Sequence, residues 1–113
     1  MKHKEKWKKL ENNLELQIQS HKKEESNDGY NWARIKCEDI LSSMLEMIDF
    51  ENKSKTDEDY AVLWNELKEE IANDMLFHET GEVQSINESV QCEAKCREIL
   101  TIMADIENQA LSL

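Results

Sequence analysis

The chain has 113 residues, 39% hydrophobic and 35% charged, with a formal net charge of −11. This length corresponds to one domain that can bury a core without disulfides. No apolar run approaches the roughly 20 residues that cross a bilayer, and the Lys-rich start lacks the apolar region of a secretory signal. The three cysteines lie within helical patterns. We therefore expect a reduced, cytoplasmic protein with no membrane partner.

Residues that end helices are scarce. The chain has no proline, and its only glycines are Gly29 and Gly81. No alternating run rich in β-branched residues predicts a strand. The composition therefore predicts an all-α protein of long helices joined by few loops.

The first predicted helix covers residues 4–23. Leu16 lies off its apolar stripe and is expected to be exposed. A turn follows at residues 24–29, where Gly29 can adopt a positive φ. The stripe has the 3.6-residue period of one helix face and consists of Trp7, Leu10, Leu14, Ile18 and His21.

The second predicted helix covers residues 30–50 and has a wider stripe, so we expect it to be the more central. That stripe consists of Tyr30, Ala33, Cys37, Ile40, Leu41, Met44, Leu45 and Ile48. The linker at residues 51–56 contains no apolar residue. Thr56 is the expected N-cap of the next helix.

The third predicted helix covers residues 57–77, and Gly81 is its expected C-terminal cap. Its stripe is Tyr60, Trp64, Leu67, Ile71, Met75 and His78, widened by Leu63 and Phe77. The fourth helix is predicted to start between Gly81 and Ser85, because Ser85 and Glu88 fit a capping box. Its stripe is Val90, Cys92, Cys96, Ile99, Leu100, Met103 and Ile106.

The first and third stripes are spaced alike. The steps from Trp7 to His21 recur 57 positions later from Trp64 to His78, and residues 37–44 recur 59 positions later at 96–103. The repeat predicts a duplicated helical hairpin that forms an antiparallel four-helix bundle. We expect one domain, 1–113, made of a first hairpin (1–50) and a second, acidic hairpin (57–113). A dimer in which each hairpin packs on another chain is the alternative.

The whole charge excess lies in the second hairpin. Residues 1–56 carry 11 basic and 11 acidic side chains, whereas residues 57–113 carry 3 and 14. Such a surface repels nucleic acid and attracts a basic protein, either as a plain acidic face or as a mimic of duplex phosphates. An acidic face with no partner remains the simpler interpretation. The predicted partner-binding residues are Asp57, Glu58, Asp59, Glu66, Glu69, Glu70 and Asp74.

The sequence contains only weak matches to metal-binding or catalytic motifs. Cys92 and Cys96 with His78 could ligate zinc, but buried free cysteines are the favoured interpretation. Glu46-x-x-Asp49 precedes Glu66-x-x-Glu69, which reverses the carboxylate order of all-helical nucleotide pyrophosphatases. No glycine-rich phosphate loop or nucleophile elbow occurs. We expect no catalytic residue, cofactor or metal.

Two copies of one pattern carry a family resemblance. The first is Trp7-x-x-Leu10-x-x-x-Leu14 with Ile40-Leu41-x-x-Met44, and the second is Trp64-x-x-Leu67-x-x-x-Ile71 with Ile99-Leu100-x-x-Met103. The pattern resembles short helical-hairpin accessory proteins of phages and prophages of Gram-positive bacteria. The resemblance implies a protein that binds and disables a host or defence component, and it assigns no functional residue.

The expected function is therefore inhibition of a basic host protein in the bacterial cytoplasm. One alternative is an oligomeric sponge that sequesters a signalling nucleotide with the basic residues 2–9 or with Arg34 and Lys36. The other is a structural homodimer.

Overall fold

A computed structural model describes residues 2–23, 31–49, 55–80 and 86–111. They form four α-helices: α1 (His3–Lys23), α2 (Asn31–Asp49), α3 (Asp57–Thr80) and α4 (Ile86–Leu111). No strand occurs in these ranges, so the all-α prediction is confirmed. The predicted turn with Gly29, residues 51–54 of the linker, and the caps at Gly81 and Ser85 lie outside the described residues.

The start of α3 has the predicted cap. Asp59 N–H donates to Thr56 Oγ1 at 3.2 Å, and Thr56 N–H donates to Asp59 Oδ2 at 2.8 Å. This reciprocal pair satisfies two backbone donors that a helix start leaves without partners. The helix continues past the predicted end to Thr80, and His78 lies buried in its last turn.

The helices pack as two hairpins, α1 with α2 and α3 with α4. Between the hairpins, α1 lies on α3 and α2 on α4, while α2 and α3 contact each other least. The Lys4 amide meets Asp57 at the start of α3, and the Lys9 ammonium meets Gln109 near the end of α4. Consecutive helices therefore run antiparallel, and the four-helix bundle is confirmed.

The core contains the same positions of both hairpins. The side chains least accessible to solvent, all at most 2% exposed, include five matched pairs: Trp7 and Trp64, Leu10 and Leu67, Leu14 and Ile71, Cys37 and Cys96, and Met44 and Met103. The repeat in the sequence is thus also a repeat in burial. In this burial pattern α1 corresponds to α3 and α2 to α4.

Three apolar residues assigned to the stripes are exposed, and those assignments are wrong. Leu45, Phe77 and Val90 are each more than half exposed, whereas Leu16 is exposed as expected. Leu45 was counted in the wide stripe that made α2 central. Because α2 scarcely contacts α3, only part of this stripe is covered.

Candidate functional site

Two of the seven predicted partner-binding carboxylates serve as caps. Asp57 accepts the amide hydrogen of Lys4 at 3.0 Å, so the second hairpin caps the start of α1. That hydrogen bond, the largest influence, lowers the pKa of the Asp57 carboxyl. Asp59 bonds Thr56 as described above, and those hydrogen bonds likewise lower its pKa. Both carboxylates are exposed, but each has an intramolecular role.

Two more of these carboxylates contact α2. Glu70 accepts from the Ser43 hydroxyl at 3.2 Å, and Asp74 forms an ion pair with Lys36 at 2.8 Å. Asp74 is therefore not the simple surface charge that the sequence analysis assumed. It holds a buried ammonium.

The remaining three, Glu58, Glu66 and Glu69, are exposed, and no ion pair involves them within the described ranges. Two apolar side chains of α3, Val62 and Leu76, are 57% and 55% exposed. The helical spacing of these five residues places them together on the side of α3 that points away from the core. We call this set the α3 outer face.

A shallow groove of about 650 Å³ lies beside this face, between α3 and α4. It is lined by Val62, Asn65, Glu66, Lys68, Glu69, Ala72 and Leu100. Its lining combines carboxylates with apolar carbon. Such a surface suits a cationic, partly apolar partner better than nucleic acid.

A smaller groove of about 290 Å³ separates α2 from α3 and brings Glu46, Glu66 and Glu70 to one lining. The paired-carboxylate residues of the sequence analysis, Glu46 and Glu66, thus lie on facing helices. Across residues 2–23, 31–49, 55–80 and 86–111, however, no three His, Cys, Asp or Glu side chains are arranged to hold a metal ion.

Two buried lysines occupy matched positions in the two hairpins. Lys36 and Lys95 lie 59 positions apart, and each is only 6% exposed. Lys36 Nζ donates to Asp74 Oδ2 at 2.8 Å, and Lys95 Nζ donates to Gln17 Oε1 at 2.7 Å. Asp74 and Gln17 lie at matched positions of α3 and α1. The same cross-link therefore joins the hairpins twice, once as an ion pair and once with a neutral acceptor.

The two lysine sites differ in their charges. Burial lowers the pKa of Lys36, but the hydrogen bond and charge of Asp74 outweigh burial and leave the pKa raised. Lys95 has further partners in Glu98 Oε2 at 2.7 Å and His21 Nε2 at 3.2 Å. The first site depends on one carboxylate, whereas the second is shared among several groups.

The three cysteines are buried and have free thiols. Burial, the largest influence, raises the pKa of Cys37 and of Cys96 to about 11 and also raises that of Cys92. Because the thiolate is the reactive form of cysteine, burial disfavours nucleophilic chemistry at these thiols at neutral pH. The core interpretation of the cysteines is confirmed.

A charged corner surrounds Trp64. The indole Nε1–H of Trp64 and the ammonium of Lys68 both donate to Glu107 Oε1, each at 2.7 Å. Lys6 lies over the Trp64 ring, with its ammonium 5.2 Å from a ring centroid. Burial raises the pKa of Glu107, but hydrogen bonds from Lys68 and Trp64 outweigh burial and leave it lowered. Glu107, one of the acidic residues of the second hairpin, therefore has an intramolecular role.

The matching corner around Trp7 has different partners. Trp7 packs edge-on against Tyr60 with ring centroids 6.0 Å apart. Its indole nitrogen is buried and has no hydrogen-bond partner among the described residues. Glu11, one turn later, is also buried. The Trp64 corner consists of His3, Lys6, Trp64, Lys68 and Glu107. The residues at the matched positions of the Trp7 corner are, in the same order, Tyr60, Leu63, Trp7, Glu11 and Ile48.

Two of the side chains proposed for a nucleotide sponge, Arg34 and Lys36, have intramolecular partners. Arg34 bonds Glu38 at 2.9 Å, and Lys36 bonds Asp74. Lys2, Lys4, Lys8 and Lys9 are exposed at the start of α1. Of the lysines at positions 2–9, only Lys6 is buried.

The buried lysines and Glu107 were missed by the sequence analysis, although a signal for the lysines existed. The dipeptide Lys36-Cys37 recurs as Lys95-Cys96 at the same offset as the rest of that helix. Glu107 has no such signal, because its matched position is Ile48.

No helix among the described residues is both long enough and apolar enough to span a membrane. Comparisons with protein-family models, with curated proteins and with solved structures find no significant match in any of the three.

Proposed function

We propose that this chain is a non-enzymatic binding protein whose α3 outer face docks on a basic surface of a protein partner and blocks it. The supporting observation is the composition of that face. Glu58, Glu66 and Glu69 have no internal ion pair in the described chain, and exposed Val62 and Leu76 lie among them.

The two kinds of side chain have different roles in docking. Carboxylates in complementary positions speed encounter with a basic partner and exclude acidic ones. The exposed apolar groups supply area that is removed from water once the partner is bound. Nucleic acid is not a partner in this proposal, because its phosphates would meet like charge.

The proposed setting is the cytoplasm of a bacterial host, where a phage-derived protein would inhibit a host or defence component. This part of the proposal is supported by the resemblance to phage helical-hairpin proteins. The identity of the target is left to experiment.

The test uses a matched pair of charge-reversed variants. Glu58, Glu66 and Glu69 are changed to Lys together, and the control changes Glu15, Glu46 and Asp49, exposed residues of the first hairpin. Both variants alter the net charge equally, and surface changes of this kind usually alter stability by less than about 0.5 kcal/mol each. Asp74 is left intact because it holds Lys36.

We expect the natural protein and the control to capture the same protein from a Gram-positive bacterial lysate at low salt, and the α3 variant to lose it. Equal capture by all three proteins, measured by quantitative mass spectrometry, would contradict the proposal. Native mass spectrometry separates the alternatives, because a co-purified nucleotide indicates the sponge and a stable dimeric mass without a partner indicates the structural homodimer.

A further inference from the structure

A pocket of about 460 Å³ opens at the Trp64 corner, and it shares Asn65 and Lys68 with the groove beside the α3 outer face. The start of α1 contributes His3 and Lys6, the first half of α3 contributes Trp64 and Lys68, and the end of α4 contributes Glu107. Three of these five residues carry basic groups. Two ammonium groups and one imidazole ring thus line the pocket together with a single carboxylate.

Lys6 is a largely buried cation of this pocket. The residue is 8% exposed, and its ammonium faces the Trp64 ring. Among the described residues it has neither a hydrogen-bond acceptor nor an ion-pair partner within 4.0 Å. A cation–π contact supplies no hydrogen-bond acceptor, and the ammonium still reaches solvent at the pocket, where its N–H donors are available to an anion.

Glu107 makes no hydrogen bond to Lys6, although the charge of Lys6 contributes to lowering the pKa of the Glu107 carboxyl. Its Oε1 already accepts from Trp64 Nε1 and from Lys68 Nζ. One carboxylate therefore faces two ammonium groups. His3 also lines the pocket. Its Nδ1 has no hydrogen-bond partner in the described ranges, and the charge of the nearby Asp57 carboxyl interacts with the residue.

The Trp7 corner indicates that folding does not require this arrangement. There the position matched to Lys6 holds Leu63, and the position matched to Lys68 holds Glu11. Leu63 packs against the core in the ordinary way. An apolar side chain fills the corresponding position of the Trp7 corner, so the fold does not require a cation at position 6.

We propose that the Trp64 corner binds a small phosphate-bearing anion, held by the ammonium groups of Lys6 and Lys68 and by the His3 ring. Phosphate offers up to two charges and three acceptor oxygens, which suits several convergent cationic donors. Trp64 is 2% exposed, so its face is not open to stack on a base. The phosphate group itself is therefore what this corner recognises.

The test is calorimetric titration of the full chain with inorganic phosphate and with ribose 5-phosphate at low ionic strength. The key variant is Lys6→Leu, which copies the residue of the matched corner and is therefore expected to fold. Its control is Lys22→Leu, which removes the same charge from an exposed position at the other end of α1. Circular dichroism confirms that both variants are helical.

We expect Lys6→Leu to weaken binding by about tenfold or more, as loss of a hydrogen bond to a charged group implies, and Lys22→Leu to leave it nearly unchanged. Binding should also shift the indole N–H resonance of Trp64. Tighter binding of the sugar phosphate assigns the site to phosphate esters, and equal binding assigns it to free phosphate. No binding of either anion, or equal weakening by both variants, overturns the proposal. If Lys6→Leu loses its helicity, Lys68→Met replaces it with the same expectations.

Discussion

The Trp7 and Trp64 corners place the same aromatic residue in the same helical frame, and they differ in almost every polar group around it. Both indoles are at most 2% exposed. One indole N–H donates to Glu107, and the other has no partner among the described residues. The matched apolar residues therefore determine how the helices pack, whereas the polar neighbours make the two hairpins chemically different.

The buried lysines extend this comparison to the other end of the hairpins. Lys36 and Lys95 bridge the hairpins at matched places, but a carboxylate accepts from one and an amide from the other. Breaking each bridge separately measures how much the difference in charge contributes to the free energy of unfolding.

The largest effect is expected at the Lys36 bridge. Asp74→Ala removes the acceptor of a lysine that is 6% exposed, and we expect the free energy of unfolding to fall by about 2 kcal/mol. The matched change, Gln17→Ala, should cost about 1 kcal/mol, because Lys95 keeps Glu98. Urea unfolding monitored by circular dichroism compares the two variants. Equal losses would show that the bridges are energetically the same.

The next comparison is between the two tryptophans. Trp64→Phe removes both core volume and a donor to Glu107, whereas Trp7→Phe removes core volume and an indole N–H without a partner. We therefore expect Trp64→Phe to be less stable than Trp7→Phe by about 1 kcal/mol. Thermal unfolding of the two variants at one concentration gives the comparison. A more stable Trp64→Phe would contradict the assigned role of Glu107.

The smallest difference is expected between the matched cysteines, because burial raises the pKa of both thiols to about 11. A raised pKa in the folded state favours the protonated thiol. The resulting stability is complete below pH 9.0, the ordinary pKa, and is lost as the pH rises through about 11. Cys37→Ala and Cys96→Ala should each flatten this alkaline loss by a similar amount, as measured by urea unfolding from pH 8 to 11. A loss that neither change flattens would place the titrating group elsewhere.

The fold was predictable because its determinant is local and periodic. Stripes such as Trp7-Leu10-Leu14 specify a helix face without knowledge of its neighbours. The exposure of Leu45 and Val90 was not predictable in that way, because it depends on how much of each stripe a neighbouring helix covers. That coverage is a property of the packed bundle.

The polar sites were harder to predict for a related reason. Asp74 and Glu107 look like any other carboxylates on an acidic helix, and only the partner across the helix interface distinguishes them. Glu107 is identified by Trp64, 43 positions earlier in the chain. Composition and charge counts therefore do not separate carboxylates that have an intramolecular partner from those that have none.

The capping of α1 by Asp57 has a consequence for synthesis. The Lys4 amide and its acceptor are 53 positions apart, and Trp7 likewise rests on Tyr60 of the second hairpin. The first hairpin therefore emerges from the ribosome before the groups that complete it have emerged. The nascent chain must carry an open apolar stripe until α3 emerges, so a ribosome-stalled fragment that ends before Asp57 is expected to remain sensitive to protease.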